Sequence, residues 1–479
     1  MVFSPNPIKF GTDGWRGRIA ADFTFERVAH VAPIAAQVLA DNYGQVANNR
    51  LVVVGYDRRF MAEQFAQTVA EAVQAAGFDV LLADSYAPTP ALSWAAKDQD
   101  ALGALVLTAS HNPAEYLGLK VKGFFGGSVT QVITQQIEAR LGETLKINRT
   151  TGTITPFDPW QSYCDALRQK VDIAKIRQAI EQGQLQVFAD VMHGAAATGL
   201  ERLLGIAIQE INGERDPLFG GGAPEPLPKY LAEIFRTIRQ AAQDQPDALR
   251  VGLVFDGDSD RIAAVDGEGN FRSSQVLIPI LIEHLHQRKG FTGEIVKTVS
   301  GSDLIPRLAA AYNLKLYETP IGYKYIADRM LNAPVLVGGE ESGGVGYGSH
   351  IPERDALLGA LYTLEAVVES GEDVGQLYQR LQNQVDFHSV YDRIDLPLAS
   401  MDVRNQLVER LKTDTPKAIA DKAVIDCLDV DGYKFRLEDQ SWLLIRFSGT
   451  EPVLRLYCEG FEMSEVKKTL HWARDWASS

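Results

Sequence analysis

The sequence has few cysteines, no long apolar run and no excess of positive charge. Its three cysteines form no Cys-x-x-Cys pair in 479 residues, which argues against a disulfide framework or a zinc site and favours a reducing compartment. The longest apolar runs, such as VLIPILI at 276–282, are far shorter than the ~20 residues of a membrane helix. The first twenty residues also lack the apolar core of a signal peptide. We therefore expect a cytoplasmic protein that has no membrane partner.

The formal net charge of −15 opposes the binding of polyanions, so no nucleic-acid partner is expected. Any anion that binds must be held by a local cluster of Arg, Lys and backbone N–H groups. Hydrophobic residues at 46% and charged residues at 23% are typical of a globular chain. The length exceeds what one core usually serves and indicates about three or four domains, with clefts between them.

A pattern of two apolar strands joined by a helical stretch occurs three times. The paired segments are 51–59 with 101–113, 185–196 with 250–261, and 293–304 with 333–344. In the first pair, the alanine-rich stretch 61–77 ends in glycine, as a capped helix does. The continuous apolar runs suit strands buried on both faces, at whose ends ligands gather. The pattern predicts three similar α/β domains with sheets flanked by helices.

After about residue 385 the pattern becomes a shorter mixture that ends in an amphipathic helix, which predicts a smaller C-terminal domain. The predicted domains are 1–150, 151–268, 269–375 and 385–479. We expect four polar loops, one in each domain, to carry the chemistry.

The first loop, TASHNP at 108–113, places Ser110 just beyond an apolar strand. A serine hydroxyl is a weak nucleophile unless a base or a metal assists it, and His111 or Lys120 are candidates for that assistance. The alternative is a simple Ser-Asn turn.

The second loop, DGDSDR at 256–261, places Asp256, Asp258 and Asp260 at alternate positions, so their carboxylates project to one side of an extended segment. This density of hard oxygen ligands suits Mg²⁺. A solvated acidic turn and a calcium loop of the EF-hand type are the alternatives, and the glycine and glutamate spacing departs from the latter. Arg261 follows the carboxylates and is a candidate to orient them or to contact phosphate.

The third loop, GGEESGG at 338–344, offers Glu340 and Ser342 as partners for vicinal sugar hydroxyls, and a flexible acidic loop is the alternative. Upstream, PIGYK at 320–324 supplies Gly322 and Lys324 as further substrate-binding candidates.

The fourth loop, RFSGTEPVLR at 446–455, flanks a Ser-Gly-Thr turn with two arginines and can form the anion site that the net charge requires. A plain hairpin turn is the alternative. The N-terminal FGTDGWRG at 10–17 adds Arg16 in a glycine-rich turn.

Taken together and in this order, FGTDGWRG, TASHNP, DGDSDR, GEESGG and RFSGTEP resemble the α-D-phosphohexomutase superfamily over nearly the whole chain. The resemblance implies four domains around one cleft, a phosphorylated Ser110, and Mg²⁺ held by the seryl phosphate and the three aspartates. It implies that Glu340 and Ser342 bind sugar hydroxyls and that Lys120 lies near the transferring oxygen. It also implies a distal phosphate site made of Arg446, Ser448, Gly449, Thr450 and Arg455.

Within the superfamily, GEESGG together with SHIPERD at 349–355 resembles the phosphoglucomutases. Phosphoglucosamine mutases usually have GEQSGH and bacterial dual phosphomannomutases GEMSGH, whereas this chain has Gly344 where they have histidine. Arg354 stands where animal-type phosphoglucomutases have lysine, and arginine is a poor proton shuttle. His350 and Lys120 are then the acid and base candidates. The SGTEP and FGTDG segments, in contrast, are closer to phosphoglucosamine mutases.

The resulting hypothesis is an enzyme that interconverts glucose 1-phosphate and glucose 6-phosphate through phospho-Ser110, with Mg²⁺ and glucose 1,6-bisphosphate as cofactors. The alternatives are a phosphomannomutase or phosphoglucosamine mutase, a glucose-1,6-bisphosphate synthase, a metal-dependent phosphatase, and a non-catalytic sugar-phosphate-binding protein. The expected partners are hexose phosphates, and the chain is expected to be a monomer or a weak homo-oligomer.

Overall fold

The computed structural model describes residues 6–11, 13–143, 150–448 and 452–478. They form three α/β units with mixed sheets and a smaller C-terminal α+β unit, as the sequence predicted. None of the helices in these ranges is long and apolar enough to cross a membrane.

The first unit has a sheet of strand order β1-β2-β6-β5-β3-β4-β7. The strand Ile154–Phe157 belongs to it, so this sheet extends past residue 150, where the sequence analysis ended the first domain. Its elements are β1 (Phe10–Gly11), β2 (Gly14–Arg18), α1 (Phe25–Ala47), β3 (Leu51–Tyr56), α2 (Ala62–Ala75), β4 (Asp79–Ala83), α3 (Thr89–Asp98), β5 (Gly103–Leu107), β6 (Tyr116–Gly123), α4 (Gln131–Ala139) and β7 (Ile154–Phe157).

The second unit has a sheet of order β12-β11-β10-β8-β9. Its elements are α5 (Gln161–Arg168), α6 (Ile173–Glu181), β8 (Leu185–Asp190), α7 (Gly199–Leu204), β9 (Gln209–Ile211), α8 (Ala232–Asp244), β10 (Leu249–Phe255), β11 (Ile262–Val265) and β12 (Phe271–Arg272), with short 3₁₀ turns at Phe219–Gly221 and Pro228–Tyr230.

The third unit has a sheet of order β14-β13-β15-β16. Its elements are α9 (Ser274–Glu283), which continues into a π-helical turn at His284–Arg288, β13 (Glu294–Thr298), α10 (Leu304–Ala311), β14 (Leu316–Thr319), α11 (Tyr323–Asn332), β15 (Val335–Gly339), β16 (Val345–Tyr347), α12 (Ala356–Ser370) and α13 (Val374–Gln384).

The C-terminal unit has an antiparallel sheet of order β17-β22-β21-β20-β19-β18 and its own apolar core. Its elements are β17 (Val390–Pro397), α14 (Met401–Thr413), β18 (Ala418–Ile419), β19 (Lys422–Leu428), β20 (Tyr433–Leu437), β21 (Trp442–Phe447), β22 (Val453–Gly460) and α15 (Met463–Ser478). The first three units share one continuous core.

The three strand pairs predicted from the sequence are parallel neighbours in their sheets: β3 with β5, β8 with β10, and β13 with β15. In each unit the second of these strands is followed by an antiparallel return strand, which is β6, β11 or β16. The first three predicted loops therefore occupy equivalent corners between a buried parallel strand and its return strand.

Candidate active site

Ser110 lies in the corner between β5 and β6 and is buried. Its backbone has φ of 51°, a left-handed conformation that is uncommon for a residue other than glycine. The Ser110 N–H donates to Thr108 Oγ1 over 2.9 Å, which helps to hold this conformation. The hydroxyl donates to Asp256 Oδ2 over 2.8 Å. The serine oxygen is thus directed at the acidic loop of the second unit.

Arg59 holds the backbone of the loop that carries Ser110, and the sequence analysis did not identify this arginine. Its guanidinium donates to the backbone oxygens of Ser110 and Asn112, both over 2.6 Å. It also donates to the oxygens of Pro113 and Tyr116 over 2.9 and 3.0 Å. These charge-assisted bonds fix the backbone that presents the hydroxyl. No local sequence signal indicates this role, because Arg59 lies beyond the end of β3 at Tyr56 and its partners Ser110 and Asn112 are 51 and 53 residues away in the sequence.

Asp256, Asp258 and Asp260 are fully buried in the corner between β10 and β11. Each offers a carboxylate oxygen, and the three oxygens lie within 4.8 Å of one another. Burial raises the pKa of Asp256 well above its usual value, and the charges of Asp260 and Asp258 raise it further. An ionised triad of this kind requires cations close by.

This donor set fits a hard divalent cation. Asp258 Oδ1 and Asp260 Oδ1 are buried and have no hydrogen-bond partner within the described ranges, so both can serve as ligand atoms. Asp256 Oδ1 is instead occupied, since it accepts the N–H groups of Asp260 and Arg261 over 3.0 and 3.1 Å. The three aspartates therefore offer a donor set that suits a divalent cation, next to the Ser110 hydroxyl, and the Mg²⁺ site with Ser110 as a ligand stays a prediction.

Lys120 lies in the middle of the carboxylates. Its ammonium is 2.7 Å from Asp13 Oδ2, 2.8 Å from Asp258 Oδ2 and 2.7 Å from Asp260 Oδ2. Burial lowers the Lys120 pKa, but the three carboxylates outweigh burial and raise the pKa above its ordinary value. Lys120 therefore remains charged, which suits it to stabilise negative charge and makes it a poor general base. Asp13, from the FGTDG turn, is a further residue that the sequence analysis did not identify.

Arg354 also reaches this cluster, from the segment between β16 and α12. Its guanidinium contacts Asp13 Oδ2 and lies 2.7 Å from Asp260 Oδ2. Its side chain passes directly over Gly344, since a Cβ added there would lie 2.5 Å from Arg354 Cδ. Arg354 thus fills the space that a side chain at position 344 would need.

His111 is the group best placed to exchange a proton with Ser110. Its Nδ1 lies 3.3 Å from Ser110 Oγ. Burial lowers the pKa of His111 well below its usual value, and the charges of Arg261 and Arg16 lower it further, so the imidazole is neutral and can accept a proton. Arg16 donates to Asn112 Oδ1 over 2.6 Å and so contacts the same loop.

The sugar-loop candidates lie between the second and third units. Glu340 is buried, and its Oε1 accepts the N–H of Gly322 over 3.0 Å, which joins the 320–324 segment to this loop. Burial raises the pKa of Glu340 to about 7. Ser342 is half-buried in the same loop, and Lys324 Nζ lies 3.5 Å from Gln131 Oε1 of the first unit. Arg261 Nη1 lies 4.0 Å from Glu225 Oε1.

Arg446 and Arg455 are directly opposite each other on β21 and β22. Two like charges in this position repel, so an anion between them is favourable. Arg446 Nε is 3.0 Å from Asp431 Oδ2, whereas Arg455 Nε is buried and has no hydrogen-bond partner within the described part of the chain. Ser448 follows β21 and its backbone oxygen accepts from Arg404 Nε over 3.2 Å. Gly449 and Thr450 lie outside the described residues.

His350, the other predicted acid or base, is not brought to Ser110 by any contact within the described residues. Its ring stacks on Trp94, with centroids 5.0 Å apart, and its Nε2 lies 3.4 Å from Asp355 Oδ2. Asp355 also caps α12 by accepting the N–H of Leu358. The geometry therefore favours His111 over His350 as the neighbour of Ser110.

Comparison with known proteins gives a match in every unit. Family descriptions of phosphoglucomutase/phosphomannomutase α/β/α domains I, II and III match residues 7–147, 161–269 and 273–385, and that of the C-terminal domain matches residues 404–474.

The relatives match along nearly their whole lengths. A protein of Methanothermobacter thermautotrophicus assigned as a phosphoglucosamine mutase is 29% identical over 97% of this chain and 96% of its own. The phosphoglucosamine/phosphogalactosamine mutase of Sulfurisphaera tokodaii is 30% identical over 94% of each chain. A crystal structure from Thermus thermophilus, described as a phosphomannomutase, has a TM-score of 0.85 at 32% identity and covers 99% of this chain and 100% of that one.

Proposed function

Because the chain belongs to the phosphoglucomutase/phosphomannomutase family of α-D-phosphohexomutases, we propose that Ser110 carries the phosphoryl group and that the enzyme interconverts the 1- and 6-phosphates of a hexosamine. The observation that carries the proposal is the position of Ser110 Oγ, 2.8 Å from one aspartate of the buried triad and 3.3 Å from a neutral histidine. A serine that only stabilised a turn would not need either neighbour.

The sequence analysis favoured glucose as the sugar, and the relatives favour its alternative instead. The three relatives described above are named for phosphoglucosamine, phosphogalactosamine and phosphomannose, whereas a relative from Thermococcus kodakarensis, 26% identical, is named a phosphoglucomutase/phosphomannomutase. Glu340 supports this choice, because burial makes its ionised form costly. A sugar ammonium group would offset that cost by pairing with the carboxylate. Glucosamine phosphate is therefore our first candidate and mannose phosphate the next.

Glucose phosphate remains a candidate because of one observation. Some family members have a histidine directly after the GE-x-SG segment. This chain has Gly344 at that position, and Arg354 occupies the space beside it. This arrangement supports the resemblance of the third loop to phosphoglucomutases.

In the proposed reaction, the free hydroxyl of the bound sugar monophosphate attacks the phosphorus of phospho-Ser110. A new P–O bond to the sugar forms as the bond to Ser110 Oγ breaks; the proton of the sugar hydroxyl is taken up by a neighbouring base, and Ser110 Oγ receives a proton from His111. The sugar bisphosphate then reorients and its other phosphoryl group returns to Ser110, as His111 accepts the serine proton and the departing sugar oxygen receives a proton from the base, which restores the starting protonation states. Glucose 1,6-bisphosphate, or its glucosamine counterpart, is on this basis the activator.

The residues contribute mainly position and charge, as expected for phosphoryl transfer. Mg²⁺ held by Asp256, Asp258 and Asp260 would neutralise charge on the transferring group. Lys120 and Arg354 supply permanent positive charge beside the triad. Arg446 and Arg455 bind the phosphate that does not react, and Glu340 with Ser342 hold the sugar hydroxyls.

The test is turnover of the 1-phosphates of glucosamine, mannose and glucose, measured side by side with Mg²⁺ and a trace of the matching bisphosphate. We expect the glucosamine compound to react fastest. A higher kcat/KM for glucose would reverse the order of the candidates, and accumulation of free bisphosphate would indicate a synthase.

The role of the serine is tested separately with Ser110→Ala and with Ser370→Ala, at the C-terminal end of α12, as the control. We expect Ser110→Ala to lose steady turnover by roughly 1,000-fold or more and to take up no phosphate, since the covalent carrier is absent. Turnover close to that of the wild type in Ser110→Ala would contradict the proposal.

We expect the compartment of the enzyme to be the cytoplasm.

A further inference from the structure

Thr89 connects the first unit to the metal loop of the second, and the proposed reaction gives it no role. It is the first residue of α3 and is fully buried. Its N–H donates to the backbone oxygen of Asp258 over 2.9 Å, and its hydroxyl donates to Asp258 Oδ2 over 2.5 Å. Asp258 is therefore held twice by one residue, once through its backbone and once through its carboxylate.

The residues on either side of Thr89 explain why it is fixed in this position. The N–H of Ala87 donates to the oxygen of Tyr56 over 3.0 Å, so the segment before α3 is attached to the end of β3. Pro88 and Pro90 restrict the backbone on both sides of Thr89, and neither has an N–H group. The Thr89 N–H is thus the only donor among the backbones of residues 88–90, and it is directed at the metal loop.

The Thr89 hydroxyl does not serve to start α3. The capping position is held by Pro88, whose side chain makes no capping bond, and Thr89 stands inside the first turn. A capping threonine accepts from a backbone N–H, as Thr24 does at the start of α1, whereas the Thr89 hydroxyl donates. The backbone bond to Asp258 already joins the two units. The hydroxyl therefore acts on the Asp258 carboxylate.

The two oxygens of the Asp258 carboxylate have different surroundings. Oδ2 accepts from the Thr89 hydroxyl and also from Lys120 Nζ, the latter over 2.8 Å. Oδ1 is buried and has no hydrogen-bond partner within the described ranges. Because a carboxylate is planar, donors that fix Oδ2 also fix the direction of Oδ1. A carboxylate oxygen that is kept clear of donors suits a hard cation as a ligand atom.

Asp260 shows the same division with a different donor. Its Oδ2 lies 2.7 Å from Lys120 Nζ and 2.7 Å from Arg354 Nη2, and its Oδ1 is buried without a partner in the described part of the chain. Lys120 is shared by the two aspartates, and each has one further donor. For Asp258 that donor is Thr89, which has no charge. Thr89 therefore orients the carboxylate without offsetting the negative charge that attracts a cation.

We propose that Thr89 is a positioning residue of the metal site, which directs Asp258 Oδ1 toward the cation and so raises the affinity for Mg²⁺. Removal of a group that orients a metal ligand typically lowers metal affinity about 10- to 100-fold. The assignment deepens the proposed function and rests on its Mg²⁺ site, but metal binding itself is measured without any sugar phosphate. It makes the metal site a joint property of the first and second units.

Metal affinity is measured by titration of the full dephosphorylated chain with Mn²⁺, followed by electron paramagnetic resonance, because Mn²⁺ takes the same oxygen ligands as Mg²⁺. Thr89→Val keeps the shape of the side chain and the backbone bond to Asp258 but removes the hydroxyl, and Thr89→Ser retains a hydroxyl. Thr89→Ala also lacks the hydroxyl and keeps the test valid if the valine variant fails to fold. Thr363→Val is the matched control, because Thr363 is fully buried in α12 and donates to the oxygen of Gly359 over 2.8 Å.

We expect Thr89→Val and Thr89→Ala to bind Mn²⁺ about tenfold or more weakly than the wild type, and Thr89→Ser and Thr363→Val to stay within about twofold of it. Equal affinity in the wild type and in Thr89→Val would overturn the assignment, as would a wild type that binds no Mn²⁺ at millimolar concentration. An equal loss in Thr89→Ser would also overturn it, because the effect would then not depend on the hydroxyl.

The consequence for catalysis is tested by turnover over a series of Mg²⁺ concentrations. We expect Thr89→Val to need about tenfold more Mg²⁺ for half-maximal turnover and to keep the KM for the sugar phosphate at saturating Mg²⁺. A loss of kcat at every Mg²⁺ concentration, with unchanged Mn²⁺ affinity, would replace the positioning role by a structural one. Weaker Mn²⁺ binding by Thr89→Val in a protein that lacks mutase turnover would refute the proposed function and leave the role of Thr89 standing.

Discussion

At the scale of single residues, the site depends on pairs of positions whose side chains share one space. Gly344 and Arg354 are such a pair, since the arginine side chain occupies the volume beside the glycine and from there reaches Asp260 and Asp13. A methyl group at 344 would lie 2.5 Å from Arg354 Cδ and 3.4 Å from Glu340 Oε2. The two residues therefore have to change together.

We expect Gly344→Ala to lower kcat about tenfold, because displacing Arg354 removes a charge from the reacting region, and a tenfold loss corresponds to ~1.4 kcal/mol. Steady-state turnover with glucosamine 1-phosphate measures the change. The matched control is Gly44→Ala in α1, where the nearest atom to an added Cβ is 4.0 Å away. An unchanged kcat in Gly344→Ala would show that the arginine contact is dispensable.

Glu340 gives a pH dependence of stability at the same scale. Its pKa in the folded protein is raised to about 7 from an ordinary 4.5, chiefly by burial. Between these two pH values the folded chain binds more protons than the unfolded chain, so stability falls as pH rises. The expected loss from this one group is at most roughly 3 kcal/mol.

The measurement is the urea midpoint at pH 5, 6, 7 and 8 for the wild type and for Glu340→Gln. We expect the wild type to lose more stability over this range than the variant, because glutamine has no proton to lose. Exposed Glu409→Gln is the control and should follow the wild type. Identical slopes for wild type and Glu340→Gln would place the Glu340 pKa near its ordinary value.

At the scale of secondary-structure elements, the sequence predicted the strands and corners because their signals are local. Continuous apolar runs such as LVVVGY identify buried strands, and a polar loop at the end of such a run must lie at the edge of the sheet. Asp256, Asp258 and Asp260 could be identified in this way. Arg59 and Asp13 could not, because their roles depend on contacts with residues 110 and 120, which lie far away in the sequence.

A substitution of Arg59 tests how strongly the segment after β3 holds the loop between β5 and β6 in place. Its four hydrogen bonds hold the backbone of residues 110–116, in which Ser110 has positive φ. We expect Arg59→Lys to lower both turnover and the phosphate content of Ser110 by about 10- to 100-fold, since an ammonium has three donor hydrogens and cannot serve four carbonyl oxygens. Mass spectrometry and steady-state kinetics give the two readouts. Exposed Arg236→Lys should change neither, and a normal phosphate content in Arg59→Lys would exclude the bracing role.

At the scale of the whole molecule, the C-terminal unit contacts the third unit through an apolar cluster and a set of buried hydrogen bonds. Trp442 and Tyr457 pack against Val299, and Glu459 accepts hydrogen bonds from Ser302 and from the N–H of Asp303. Arg446 and Arg455, the two arginines of the proposed distal anion site, lie on β21 and β22, which also form this interface. The docking of this unit therefore positions the distal arginines relative to Ser110.

We expect Lys434 to make that docking depend on pH. The Lys434 ammonium is buried and donates to the backbone oxygen of Val299 over 2.9 Å. It also lies 3.5 Å from Asp303 Oδ1, while Asp303 Oδ2 lies 2.7 Å from Arg436 Nη1. Burial, followed by the charge of Lys297, lowers its pKa to about 8 from an ordinary 10.5. Between these values the unfolded chain binds the extra proton, so stability rises as pH increases, by at most roughly 3 kcal/mol.

We expect the wild type to resist limited proteolysis between the third and C-terminal units better at pH 9.5 than at pH 7.5, because docking no longer buries a charge. Lys434→Met should remove this dependence, and exposed Lys468→Met should keep it. Tyrosine ionisation affects all three proteins alike, so the difference between them isolates Lys434. The same pH dependence in the wild type and in Lys434→Met would mean that the buried ammonium does not control docking. In that case the apolar contacts of Trp442 and Tyr457 alone would set the position of the distal arginines.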